Sequence, residues 1–127
     1  VQVVVLAFAA TRSWGKACAN KEGSKISIGG IAGASYLAGS GANVSKGRLV
    51  LTHNAGVTVM SKCSNVWRPE EFRPFRLLGK TLVFTIDLSQ VGCACNAAVY
   101  LIYAPPHGPD GKLRRGVCPG SPFYCDA

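Results

Sequence analysis

The hydrophobic and polar positions of this chain alternate with the two-residue period of a β-strand. Residues 81–88 give the clearest case, because every even position is large and apolar. These positions are Leu82, Phe84, Ile86 and Leu88. The odd positions are mostly polar, so the pattern predicts a strand with one face turned to a core.

Two further alternating stretches, residues 48–53 and 57–63, are separated by Asn54, Ala55 and Gly56. Because Asn and Gly accept the backbone angles of tight turns, this link predicts a β-hairpin. Residues 25–28 alternate in the same way. A short strand is expected at residues 35–37, within the Gly-, Ala- and Ser-rich stretch 29–47.

Residues 1–10 and 97–104 are apolar on both faces, which is typical of strands buried on both sides. We expect residues 97–104 to be central in a sheet. Residues 1–10 resemble the apolar core of a signal peptide and are too short to span a bilayer. As a strand, they either pair within their own sheet or are donated to a neighbouring copy.

No stretch of the chain shows a convincing helical period. The pattern therefore predicts a single all-β domain, residues 1–127, folded as an antiparallel β-sandwich or jelly roll. Prolines become frequent from residue 105 onward. We expect residues 105–127 to form an irregular tail that Cys118 and Cys125 tie to the body.

The sequence contains six cysteines. They are Cys18, Cys63, Cys93, Cys95, Cys118 and Cys125. An even number in a short chain indicates a disulfide framework and a secreted protein, although the sequence does not select the pairing. Zinc is disfavoured, because the only close pair is Cys93 and Cys95 and no His lies near it. No metal or cofactor site is expected.

The charge balance is basic, with 14 Lys and Arg against 6 Asp and Glu, giving a net charge of +8. Such a surplus favours acidic partners such as anionic polysaccharides. Nucleic acid is disfavoured because the cysteines point to an oxidising compartment. The simpler interpretation is that the charge keeps the protein soluble.

Several side chains are candidates for glycan contact or modification. The aromatic residues that could stack on sugar rings are Trp14, Tyr36, Trp67 and Tyr103. A basic loop suited to uronate or sulfate groups contains Lys112, Arg114 and Arg115. Each set has a structural alternative, as core or disulfide packing and as a solvated loop. Asn43, Val44 and Ser45 form an N-glycosylation sequon, expected in a loop.

The acidic residues do not select a catalytic pair, although glycoside hydrolysis needs two facing carboxyl groups. Glu70 and Glu71 are adjacent and lie among arginines, so we expect solvated ion pairs. Asp87 is expected to be a solvent-facing strand residue. His53 and His107 lack any surrounding catalytic motif and are interpreted as structural.

One region resembles a known family. Leu77, Leu78 and Gly79 precede a Phe84-x-x-Asp87-Leu88-Ser89 segment; Cys93, Asn96 to Leu101 and a final Tyr124-Cys125-Asp126 follow. This order is similar to the family 7 glycoside hydrolases, the fungal cellobiohydrolases and endoglucanases, over about residues 34–127. The resemblance implies a concanavalin-A-like jelly roll of two curved antiparallel sheets.

The resemblance does not extend to the catalytic residues. The family's Glu-x-Asp-x-x-Glu motif occurs nowhere in the chain, so the sequence favours a protein without hydrolase activity. The family's partners for Cys93 and Cys125 have no counterpart here, which implies rewired disulfides or a fragment-like derivative. Cys95 has no family equivalent.

The leading expectation is a secreted, non-catalytic protein with a structural or self-assembling role, and with glycan binding as an additional property. Its partners would be copies of itself, joined through the N-terminal strand, and polysaccharide. The alternatives are a stand-alone carbohydrate-binding module and a minimal cellulase-type glycoside hydrolase.

Overall fold

The computed structural model describes residues 3–5, 18, 24–66, 68–92, 97–103 and 107–112. In chain order its elements are strands β1 (Val3–Val5), β2 (Lys25–Ile26), β3 (Ser35–Ser45) and β4 (Arg48–Met60), a 3-10 turn (Pro69–Glu71), and strand β5 (Tyr100–Tyr103). The predicted all-β class is confirmed for this part of the chain. None of these residues belongs to a helix with the length and apolar character that a membrane span requires.

The strands form two antiparallel sheets. β2, β3 and β4 make a three-stranded sheet in that order, and β1 pairs with β5 in a two-stranded sheet. β1 also contacts β4. The sandwich or jelly-roll arrangement of the sheets stays a prediction.

The predicted hairpin at residues 54–56 is wrong, because β4 runs without a break from Arg48 to Met60. The chain reverses instead at Lys46 and Gly47, between the paired residues Ser45 and Arg48. Both central residues have positive φ, 49° for Lys46 and 74° for Gly47. A two-residue turn with this geometry matches the right-handed twist of the flanking strands, which explains why the reversal occurs here.

Residues 54–56 instead take part in an irregularity of the β3–β4 ladder. Ser40 pairs with Gly56 and Ala42 pairs with Leu51, so β4 carries extra residues opposite Gly41. The Thr52 hydroxyl donates to the Gly41 carbonyl oxygen across this site at 3.1 Å. A turn-forming sequence can thus be accommodated as a bulge within a long strand.

β3 is much longer than the three-residue strand expected at residues 35–37. Its Gly39 and Gly41 lie where the irregular part of β4 approaches most closely. A Cβ atom at Gly39 would lie 2.0 Å from the Gly56 carbonyl oxygen, and one at Gly41 would lie 2.8 Å from the Ala55 Cβ. Here glycine permits close backbone approach, rather than marking a loop.

The core lies on both faces of the β3–β4 ribbon. On one face Leu37, Val57 and Val59 pack with Phe75. On the other face Ala38 and Met60 pack with Phe72 and Tyr36. Alternation along paired strands separates these two sets, so the end of β4 is buried on both sides.

The chain after β4 supplies the phenylalanine of each cluster, Phe72 and Phe75. Phe72 bridges to Met60, the Arg73 amide donates to the Val59 carbonyl at 2.9 Å, and the Ser61 amide donates to the Glu71 carbonyl at 2.7 Å. These bonds hold residues 71–73 along the end of β4. They fix the point from which residues 74–92 continue.

Three other strand predictions need correction. Residues 81–88 form no strand and are exposed throughout. The strand expected at residues 25–28 is reduced to β2. In the strand expected at residues 97–104, residues 97–99 lie outside β5, Leu101 is exposed rather than buried, and residue 104 is not among the described residues. The sequence patterns of these three stretches are strand-like. A pattern does not by itself provide a partner strand or a second layer that packs on the apolar face.

The N-terminal strand pairs within its own chain, with Val3 opposite Tyr103 and Val5 opposite Tyr100. This is one of the two arrangements that the sequence left open. Because β5 already supplies a partner strand for β1, donation of residues 1–10 to a neighbouring copy is not required for β1 to be paired.

Cys18 and Cys63 form a disulfide with a Cα–Cα distance of 5.2 Å. It joins the chain ahead of β2 to the chain just after β4. Cys18 is buried, and its Sγ lies 3.0 Å from the Ser24 Oγ. The disulfide prediction is confirmed for this pair, while Cys93, Cys95, Cys118 and Cys125 lie outside the described residues.

Candidate functional site

Residues 81–88, which the sequence predicts to turn one face to a core, are exposed at every position. We call residues 81–88 the apolar segment. Its exposed fractions include 84% for Val83, 54% for Phe84 and 53% for Leu88. A run of large apolar side chains in water is costly, and contiguous exposed apolar surface marks interaction sites.

Hydrogen-bonded turns bound the apolar segment at both ends. The Lys80 amide donates to the Leu77 carbonyl at 2.9 Å, and the Val91 amide donates to the Leu88 carbonyl at 2.9 Å. No backbone–backbone hydrogen bond joins residues 81–87 to any other described residue. Within the described part of the chain, the amide and carbonyl groups of residues 81–87 therefore have no backbone partner, which makes the segment a template for strand addition.

Asp87 is the one charged residue between positions 81 and 90, and local hydrogen bonds stabilise its carboxylate form. Its Oδ1 accepts a hydrogen bond from the Ser89 amide at 3.0 Å. This bond, a second one from the Ser89 side chain and the charge of Arg48 hold the pKa of Asp87 below its usual value. The carboxylate caps the turn at the end of the segment, and its lowered pKa is the opposite of what a general acid requires.

The other candidate acids do not form a catalytic pair within the described part of the chain. Glu70 is exposed, whereas Glu71 is buried, so the expectation that both are solvated ion pairs is wrong for Glu71. The Glu71 Oε2 and the Arg73 Nε are both buried, and neither has a hydrogen-bond partner among the described residues. The Arg73 guanidinium donates instead to the Ala34 carbonyl.

The described residues also form no candidate metal-binding site. No three His, Cys, Asp or Glu side chains come together among the described residues. His53 is exposed on β4, and His107 is exposed after β5. Neither is placed beside a candidate nucleophile by the contacts that the structure records.

The predicted glycan-binding residues are not brought together where the structure describes them. Tyr36 packs against the cluster of Ala38, Met60 and Phe72, so its ring serves the core. Lys112 is exposed in a turn where its amide donates to the Asp110 Oδ1 at 3.1 Å. Trp14, Trp67, Arg114, Arg115 and the side chain of Tyr103 lie outside the described residues.

The sequon residue Asn43 is exposed, but it lies in β3 and not in the expected loop. It is paired with Val50, which is also exposed, near the tip of the β3–β4 ribbon. The side chain therefore faces solvent on the side of the ribbon opposite to Val44 and Leu49. This position is accessible to modification.

Comparisons with protein-family models, with curated proteins and with solved structures give no match for this chain. The resemblance to the family 7 glycoside hydrolases therefore rests on the sequence motifs alone.

The apolar segment was missed as a site because strand-like alternation normally indicates a buried face. Alternation does not distinguish a strand that packs in its own chain from one that packs elsewhere. Two further features of residues 81–89 favour pairing with another chain: they contain a single charge, and they contain neither Pro nor Gly. Such composition is typical of segments that pair between chains.

Proposed function

We propose that this protein is a secreted, non-catalytic β-protein that assembles with other copies of itself in an extracellular structure. The exposed apolar segment is the observation that carries the proposal. Burial of its large side chains between copies would remove the cost of keeping them in water.

The proposed oxidising environment is supported by the cysteines. The Cys18–Cys63 bridge supports an extracellular location, because such bridges persist where thiols are not kept reduced. A jelly-roll body related to the family 7 glycoside hydrolases, without the catalytic motif, remains part of the proposal.

The net charge of +8 bears on the conditions of assembly. Like charges on two copies repel each other, and salt screens this repulsion. Assembly should therefore strengthen as the salt concentration rises, whereas association through complementary surface charges would weaken.

The test is sedimentation velocity over a concentration and salt series, with the native disulfides intact. We expect oligomers that increase with both variables. In the Phe84→Lys variant the distribution should shift toward the monomer, because a charge in the apolar segment must be desolvated on assembly.

Leu78→Lys is the matched control, since Leu78 is fully exposed just outside the segment and receives the same charge. It should behave like the unmodified protein. A protein that stays monomeric at every concentration and salt level would overturn the proposed function.

A further inference from the structure

The apolar segment is nearly palindromic around Thr85. Phe84 and Ile86 flank Thr85 on either side, and Leu82 and Leu88 lie symmetrically beyond them. An antiparallel pair of identical strands related by a two-fold axis places symmetric positions opposite each other. A palindrome of side-chain types is therefore complementary to its own copy.

We propose that the apolar segments of two copies pair as antiparallel strands around a two-fold axis at Thr85. The inference rests on the proposed function and specifies its contact. Phe84 of each copy then lies opposite Ile86 of the other, and Leu82 lies opposite Leu88. Thr85 lies opposite Thr85 on the other face.

Neighbouring registers are less favourable. A shift that moves the axis to Phe84 places Lys80 opposite Leu88, and a shift to Ile86 places Leu82 opposite Gln90. Moving the axis between two residues sets the apolar even-numbered face against the mostly polar odd-numbered side chains, since opposite residues point to the same side. The register centred at Thr85 is the one that pairs all four even-numbered apolar residues with one another.

The electrostatics of the segment permit this approach. Asp87 lies opposite Val83 in the proposed register, so the two Asp87 carboxylates are not directly opposed. Its hydrogen bond to the Ser89 amide turns the chain after Leu88. The strand therefore ends where the apolar pattern ends, and the segment's unpaired backbone groups gain partners.

A pair of short strands is weakly stable unless a face is covered. The two segments together present their even-numbered apolar side chains on one face. This face can pack against the bodies of the two copies or against another pair. Weak association of the first pair, strengthened at higher protein concentration, is the expected behaviour.

The test is disulfide trapping with Thr85→Cys under mild oxidation. Directly opposite residues of antiparallel strands have Cβ atoms about 5 Å apart, within reach of a disulfide after small adjustment. The matched control is Val83→Cys on the same face. Its two copies would lie about 13 Å apart along the strands, too far to bridge.

Mass spectrometry of proteolytic fragments, with the native bridges left unreduced, identifies the new crosslink between the two introduced thiols. We expect the Thr85→Cys crosslink to be at least about tenfold more abundant than the Val83→Cys crosslink, given the separation along the strands. Equal trapping at both positions, or trapping at position 83 alone, would overturn the register.

Sedimentation of the unmodified protein separates failure of the register from failure of the function. Oligomers without selective trapping at position 85 would leave the proposed function intact and overturn the strand pairing. A monomer at every concentration would overturn both. A shift to the monomer in Ile86→Lys but not in Leu78→Lys supports burial of the segment between copies, which the pairing and the proposed function share.

Discussion

Gly39 illustrates how one residue limits the packing of a whole ribbon. It has a φ of +134°, and a Cβ atom there would lie 2.0 Å from the Gly56 carbonyl oxygen and 2.9 Å from the Val57 Cα. Both neighbours are backbone atoms, which cannot move aside as a flexible side chain can. The strand at this position therefore depends on the absence of a side chain.

We expect Gly39→Ala to lower the free energy of unfolding by at least about 2 kcal/mol, from steric overlap and backbone strain. The measurement is the midpoint of urea unfolding. Gly29→Ala is the matched control, because a Cβ at Gly29 meets nothing within 4 Å. Indistinguishable midpoints for the two variants would contradict the close approach of β3 and β4.

At the scale of secondary-structure elements, the β3–β4 hairpin is determined by its turn. Lys46 is the one non-glycine residue with positive φ among the described residues. A lysine in this conformation has a steric cost that Asn largely avoids. The neighbouring Gly47 already has the residue type that such turns prefer.

Lys46→Asn should therefore raise the free energy of unfolding by about 0.5 kcal/mol, because Asn-Gly is the preferred sequence of this turn. Lys62→Asn is the control, as Lys62 is an exposed lysine without positive φ. Thermal and urea unfolding of both variants measure the difference. A loss of stability in Lys46→Asn would show that the chain does not reverse at Lys46 and Gly47.

At the scale of the whole molecule, the Cys18–Cys63 bridge closes a loop with a sequence separation of 45 residues. It encloses β2, β3 and β4, so it holds together the sheet that contains the core. A crosslink over such a loop restricts the unfolded chain far more than the folded one.

Replacement of Cys18 and Cys63 by Ser should lower the free energy of unfolding by about 4 kcal/mol, the value expected for a loop of this length. Ser27→Ala, a small change at an exposed position of the same loop, is the control. The measurement is urea unfolding under non-reducing conditions. A non-reducing peptide map that places Cys18 and Cys63 in different bridges would contradict the pairing directly.

The sequence alone determined the class of secondary structure and several local features. Alternation with a period of two predicted strands in the regions of β2 and β4, because this pattern is a property of the local chain. The Asp110-Gly111 pair is typical of turns, and these two residues form a turn in the structure. The even cysteine count predicted disulfides, because a count can be read from composition without any knowledge of contacts.

The tertiary structure decided which of these patterns found partners. Asn54, Ala55 and Gly56 could form a turn or a bulge, and pairing of β4 with β3 on both sides of them selected the bulge. The pairing of Cys18 with Cys63 likewise depends on residues far apart in the chain. The apolar segment has the clearest strand pattern but no partner strand in the described part of the molecule. Periodicity specifies the faces of a strand, whereas burial depends on contacts between distant residues.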